Sequence, residues 1–280
     1  MNGLGVSDAL LHDIEQQVTR LIKKHIIPHL VIILIGKDPA SLVYVSQKQQ
    51  KAEHIGIKTT LIQLPESTTE ESLIRTIKAY NTDRTVHGII VQRPLSPHIH
   101  STAVTAAISP IKDIDAFHLK SPYYSPIVGA VLKIFEEVQR AQNNKQSVTD
   151  WLQEKKVVVI GKGETGGGPI IQYLKNMPID ISVIDSKTIE VKRLLQQADI
   201  IISAVGKPNV IAPESIKKGV LLISIGLYKD SLGKLHGDYE KDQIKNIASF
   251  YTPTPKGIGP INVAMLLKNL LLATNKISSL

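Results

Sequence analysis

Short runs of β-branched and aliphatic residues alternate with stretches of helical spacing along most of the chain. Residues 30–35 read as a buried strand, 39–55 as a helix, 59–64 as a strand, 69–80 as a helix and 88–92 as another apolar strand. Strands separated by helices predict an α/β fold with a largely parallel sheet, since parallel neighbours need a crossover between them. The polar stretch 139–147 reads as a linker or a helix end, and a second α/β unit begins at Lys156. There, 157–160 predicts a strand, 161–168 a glycine-rich turn, 170–175 a helix, and 181–185, 200–205 and 220–225 further strands. An apolar helix over 261–273 closes the chain, and neither an internal repeat nor a low-complexity tract interrupts it.

The helix over 39–55 carries the first candidate chemistry. Asp38 is placed as its N-cap, Pro39 as its first residue and Gly56 as its stop. Tyr44 and Lys48 are one turn apart, so the phenol and the amine share a face. Tyr44, Lys48, Lys51 and Ile55 form one stripe beside an apolar stripe of Leu42, Val45 and Ala52. A helix lining a cleft has this pattern, and a lysine so placed is able to shuttle a proton. A solvated lysine beside a packed tyrosine has the same local pattern.

Composition narrows the field. The 280 residues suffice for one large or two ordinary domains, and 42% hydrophobic content allows a sizeable core. Cysteine is absent, which excludes disulfides, thiolate metal sites and a cysteine nucleophile, and no metal site is expected. Neither a signal peptide nor a run of about twenty apolar residues is visible, so the expectation is a cytoplasmic protein away from the membrane. The formal charge of +8 is spread along the chain and aromatics are only 4% of residues. A basic–aromatic strip for nucleic acid is therefore not expected.

Gly161-Lys162-Gly163-Glu164-Thr165-Gly166, followed by Gly167, satisfies G-x-G-x-x-G between a predicted strand and a predicted helix. In that context glycines let the backbone approach a pyrophosphate at the free N–H groups of a helix start. Asp185 ends the next strand, near the spacing of a carboxylate that reads a ribose hydroxyl. Lys162 and Ser186-Lys187 would suit the 2′-phosphate of NADP, whereas Asp185 would repel it. The expected cofactor is NADP, with NAD still open.

Four further segments complete a pattern. They are Gly88-Ile89-Ile90-Val91-Gln92-Arg93-Pro94-Leu95, Lys112-Asp113-Ile114-Asp115-Ala116-Phe117-His118, the run from Ala198 to Pro208, and the run from Thr252 to Leu266. In this order, with Tyr44 and Lys48, they resemble the bifunctional methylenetetrahydrofolate dehydrogenase/methenyltetrahydrofolate cyclohydrolase family over about residues 30–118 and 155–273. The resemblance implies an N-terminal α/β substrate domain (1–141 plus 255–280), a Rossmann-like dinucleotide-binding domain (142–254), and a C-terminal helix that returns to the first domain. It implies Lys48 as the catalytic lysine, Tyr44 as its neighbour over the folate ring and Gln92 as the residue that positions it. Asp115 would anchor the pterin, with Pro255, Lys256 and Gly257 also at the substrate. Gly161, Lys162, Gly163, Gly166, Gly167, Asp185, Ser186, Val205, Gly206 and Ile225 would meet the cofactor. A homodimer is implied as well.

The chain departs from the family's usual residues at several places. Ala116 and Lys256 stand where glycines are usual, Arg93 where a leucine is usual, and Gly163 and Gly166 where serine and valine are usual. The loop from Leu119 to Pro126 is shorter. This divergence leaves two other readings: a non-catalytic relative that binds dinucleotide or folate, and another two-domain NAD(P) dehydrogenase using Lys48 as a base.

Overall fold

The structure is a computed structural model, and it describes residues 2–279. Contacts gather the chain into two units: Asp8–Pro126 with the chain from Val263 onward, and Ile127–Asn262 with the first residues up to Ser7.

The N-terminal unit holds β1 (His29–Ile35), β2 (Lys58–Leu64) and β3 (Gly88–Val91) in a parallel sheet of order β2-β1-β3. All seven residues of β1 are buried, which is why no polar alternation marks it in the sequence. Its side chains still alternate between faces. Leu30, Ile32 and Leu34 join a cluster with Leu11, Ile14 and Val18 of the Gly3–Ile22 helix and Ala264, Leu267 and Leu270 of the Ile258–Ser278 helix. Val31, Ile33 and Ile35 join the opposite cluster with Leu73, Ile77 and Val104. The closing helix therefore does return to the first unit. Each fully buried aliphatic side chain contributes roughly 1.5–3 kcal/mol, so this two-sided burial makes β1 the anchor of the unit.

The C-terminal unit holds β4 (Lys156–Ile160), β5 (Asp180–Ile184), β6 (Ile200–Ser203), β7 (Leu221–Ser224), the antiparallel pair β8 (Tyr228–Lys229) and β9 (Leu235–His236), and β10 (Phe250–Tyr251). Five of these form a parallel sheet of order β10-β7-β6-β4-β5. The chain leaves β4 to one side for β5 and returns to its other side for β6. That reversal is the switch point at whose strand ends α/β sheets bind ligands.

The sequence underestimates the helices. Gly3–Ile22, Ser101–Ala107, Pro126–Ala141, Val148–Gln153 and Val191–Gln197 are helical without being predicted. The expected linker begins with the end of the Pro126–Ala141 helix, where Gln139 donates to the Gln146 carbonyl at 3.1 Å. The strand expected over 200–205 stops at Ser203, because the next residues turn onto a buried carboxylate described below. No helix among the described residues is long and apolar enough to cross a membrane.

A buried group at the start of β1 makes one pH effect testable. The His29 N–H donates to His87 Nδ1 at 3.1 Å, so His87 accepts only when neutral. Burial, then the neighbouring His29 and Lys112, push its pKa down to about 4 against the attraction of Asp83. A histidine with a depressed folded pKa contributes stability above its unfolded value that is lost as the pH falls through the folded one. Wild type should therefore lose about 2 kcal/mol relative to His87→Asn between pH 6.5 and 4, the full shift being discounted for residual hydration. Parallel denaturation curves for the two proteins would count against this assignment.

Candidate active site and dinucleotide site

In the N-terminal unit the candidate residues come from three places. Lys48 and Tyr44 lie on the Pro39–His54 helix, whose N-cap Asp38 accepts from Ser41 N at 2.7 Å, with Pro39 in its first turn as expected. Tyr44 keeps 39% of its surface exposed, while burial raises its phenol above the ordinary range. Gln92 follows β3, and its N–H still donates to the Ile33 carbonyl at 2.9 Å. Lys48 Nζ donates to Gln92 Oε1 at 3.0 Å, and Gln92 Nε2 donates to the Arg93 carbonyl at 2.7 Å. With both amide ends engaged, Gln92 presents its oxygen to the lysine, and a flip would lose both bonds. A neutral amide oxygen thus orients the Lys48 amine.

Asp115 sits on the turn over 113–118. Asp113 organises that turn: its Oδ2 accepts from His118 N at 2.6 Å, and its carbonyl accepts from Ala116 N at 3.2 Å. Its Oδ1 is buried without a partner, and burial raises the carboxyl to about 6 against the opposing His118 bond. Asp115 is half-buried, and among the described residues no donor holds its carboxylate. Ala116 has φ +57 and Lys256 has φ +74, so the backbone keeps a left-handed turn where each side chain is disfavoured. Ala116→Gly and Lys256→Gly should each stabilise the protein by about 0.5–1 kcal/mol in denaturant titrations. A loss of stability would remove the strain from the account.

In the C-terminal unit, Gly161 has φ +91, and a Cβ there would lie 2.6 Å from the Ala204 carbonyl oxygen. A Cβ on Gly167 would lie 2.0 Å from the Gly161 oxygen, whereas one on Gly163 would meet nothing within 4 Å. Gly161 and Gly167 therefore carry the tight packing, and Gly163 leaves open backbone before the Gly167–Lys175 helix, whose N-cap is Gly166. Asp185 Oδ2 accepts from Lys162 Nζ at 2.6 Å, and its Oδ1 accepts from Lys187 N and Thr188 Oγ1, both at 3.0 Å. The lysine contact, helped by these bonds, lowers the carboxyl to about 2. Ser186 beside it is exposed.

Val205 and Gly206 follow β6, and Ile225 follows β7 with its N–H on the Ser203 carbonyl at 2.7 Å. What holds this loop is Asp238, which sequence reasoning passes over. Its carboxylate is fully buried and accepts from Ser203 Oγ at 2.7 Å, Val205 N at 3.1 Å, Gly206 N at 2.7 Å and Lys207 N at 3.2 Å. The dipeptide Gly237-Asp238 has no local signal beyond that of a turn. Pro255 and Lys256 are exposed and Gly257 is buried, in the segment that leads into the closing helix.

Comparison with known proteins matches both halves of this arrangement. The family model described as tetrahydrofolate dehydrogenase/cyclohydrolase, catalytic domain, matches residues 1–115, and that described as its NAD(P)-binding domain matches residues 143–278. The chain is 37% identical over 275 residues to the bifunctional protein FolD of Bacillus cereus, covering 96% of this chain and 94% of that one. The bifunctional FolD structure from Campylobacter jejuni superposes with a TM-score of 0.88 at 30% identity, covering 98% of each chain. The dehydrogenase-cyclohydrolase from Trypanosoma brucei, solved with NADP cofactor and inhibitor, gives a TM-score of 0.87 at 30% identity, covering 99% of this chain and 97% of that one. With both domain types matched in order and relatives aligned almost end to end, this chain belongs to the tetrahydrofolate dehydrogenase/cyclohydrolase family.

Proposed function

We propose that Lys48 moves the proton in the hydrolytic step of this enzyme, with Gln92 positioning it and Tyr44 covering the folate ring. The overall reaction is that of the family: oxidation of 5,10-methylenetetrahydrofolate to 5,10-methenyltetrahydrofolate, then hydrolysis to 10-formyltetrahydrofolate, a step of one-carbon metabolism. The 3.0 Å bond from Lys48 Nζ to Gln92 Oε1 carries the residue assignment. A lysine held by a neutral amide is able to take a proton from the attacking water and return it to the departing nitrogen. Asp115 accepts two N–H groups from the pterin edge, a pairing that suits its unengaged carboxylate. By likeness to the family, Pro255, Lys256 and Gly257 are assigned to the substrate as well.

The dinucleotide site suits NADP. Gly163 leaves backbone open to a pyrophosphate just before the following helix, and Lys162 and Ser186 suit a 2′-phosphate. Bound there, the nicotinamide would supply the acceptor for the hydride of the methylene carbon. The chain's own part in that step is to orient the reactants, with Val205, Gly206 and Ile225 lining the strand ends at the switch point. The NADP complex of the Trypanosoma brucei relative supports this choice. Asp185 now competes for Lys162 and is the acceptor suited to the ribose hydroxyl of NAD, so Asp185→Asn should lower the KM for NADP about tenfold and raise that for NAD. An unaltered NADP-to-NAD preference would remove Asp185 from cofactor selection.

Function divides the chain into a folate-binding part, 1–141 with 255–280, and a dinucleotide-binding part, 142–254. The likeness to the family supports a homodimer acting in the cytoplasm, and sedimentation of the purified protein tests the dimer. The decisive assay follows NADP reduction with methylenetetrahydrofolate and, separately, hydrolysis of the methenyl compound. A folded preparation inert in both would overturn the reading.

A further inference from the structure

Arg93 joins the two halves of the proposed folate site. Its main chain serves one half, since its carbonyl accepts from Gln92 Nε2 at 2.7 Å and so sets the amide that holds Lys48. Its side chain reaches the other. The guanidinium donates through one nitrogen to Ser101 Oγ and through the other to Thr105 Oγ1, the latter at 2.7 Å. Ser101 and Thr105 are one turn apart on the Ser101–Ala107 helix, so both hydroxyls face the same way. A planar fork with separate nitrogens suits this pair, and a single ammonium cannot satisfy both in the same geometry. The guanidinium carbon lies over the Phe117 ring, 4.1 Å from its centroid.

Phe117 is two residues beyond Asp115, and the residue between them is the left-handed Ala116. A turn containing that disfavoured conformation has a backbone tendency to relax, and the Phe117 ring is its handle on the rest of the unit. The half-buried Arg93 is itself tied to a helix and to a strand end, so it transmits rigidity from both to the turn. An aliphatic side chain at 93 would keep the main-chain bond to Gln92 and lose every side-chain tie.

We infer that Arg93 is a positioning residue for folate recognition: its guanidinium, bridged to Ser101 and Thr105 and set over the Phe117 ring, holds the 113–118 turn so that Asp115 meets the pterin. This rests on the proposed roles of Asp115 and Lys48. Arg93 touches no reacting atom, and its effect falls on substrate affinity rather than on the chemical step.

The test compares wild type, Arg93→Leu, Arg93→Lys and Phe117→Leu in steady-state kinetics, with thermal unfolding in parallel. Arg93→Leu should raise the KM for methylenetetrahydrofolate about tenfold, with kcat within about twofold and the KM for NADP unchanged. Arg93→Lys keeps the cation over the ring and should recover part of the affinity. Phe117→Leu should raise the same KM, and its effect should largely vanish in the Arg93→Leu background, because the two groups act through one contact. An unchanged folate KM in Arg93→Leu overturns the assignment. So does a loss in which the folate KM, the NADP KM and the unfolding temperature deteriorate together, since that marks a general structural role. Wild-type protein lacking both activities overturns the functional reading itself, whereas active wild type with an indifferent Arg93→Leu overturns only this inference.

Discussion

Lys48→Met loses cyclohydrolase activity by about 100-fold or more and still binds folate. Positioned general acid–base groups contribute typically 10²–10⁴-fold, and the Lys48 amine is the basic group that Gln92 holds in place at 3.0 Å. Methionine is close to lysine in length and apolar volume, so the partly buried stem continues to pack and only the amine is removed. On the proposed roles, Asp115 rather than Lys48 anchors the substrate, so affinity should change little. Gln92→Ala should produce a weaker version of the same defect, because the amine remains but is no longer oriented. Titration with a folate analogue separates binding from turnover. A Lys48→Met protein that hydrolyses the methenyl compound at the wild-type rate removes Lys48 from its role and favours a different proton carrier.

Asp238→Asn weakens NADP binding about 30-fold or more while leaving folate binding close to wild type. The four donors on Asp238 require an acceptor at both of its oxygens. An asparagine places an NH2 group against two of those donors and removes the charge that strengthens the other bonds. Hydrogen bonds to a charged group contribute about 1.5–3 kcal/mol each, so losing one or two gives an effect of this size. The damage is directed at Val205, Gly206 and Lys207, whose N–H groups lose their common acceptor. Calorimetric titration with NADP, well below the unfolding temperature, reads the effect directly. Wild-type affinity for NADP in this variant would show that the loop holds its shape without the carboxylate.

These two residues differ in how far they were legible. Lys48 lies on a helix whose N-cap, first-turn proline and apolar stripe are local, so the spacing to Tyr44 already places both groups on one face. The glycine-rich turn was legible for the same reason, since its strand and its helix adjoin it. Within it, the close packing belongs to Gly161 and Gly167, a distinction that depends on the approach of Ala204 from another strand end. Asp238 is the opposite case. Its partners are 31 to 35 residues away and come from the far end of another strand, so no window of sequence contains the interaction.

The hydrophobic pattern by itself determined the α/β class, the parallel strands, the turn that suits a pyrophosphate and the helix that presents Lys48. Burial and backbone conformation are recorded locally, in the period of apolar side chains and in glycines at set positions. The hydrogen bond by which Gln92 holds Lys48 across 44 residues, a pairing the family resemblance implied, is seen only in the tertiary structure, which alone decided that Asp238 ties down the loop after β6 and that Arg93 lies over Phe117. It also decided that Ala116 and Lys256 keep a left-handed backbone despite their side chains. Each of these depends on the free energy of groups distant in sequence meeting in a buried or half-buried place, where an unmet donor or acceptor is costly. Such a requirement leaves no periodic trace along the chain.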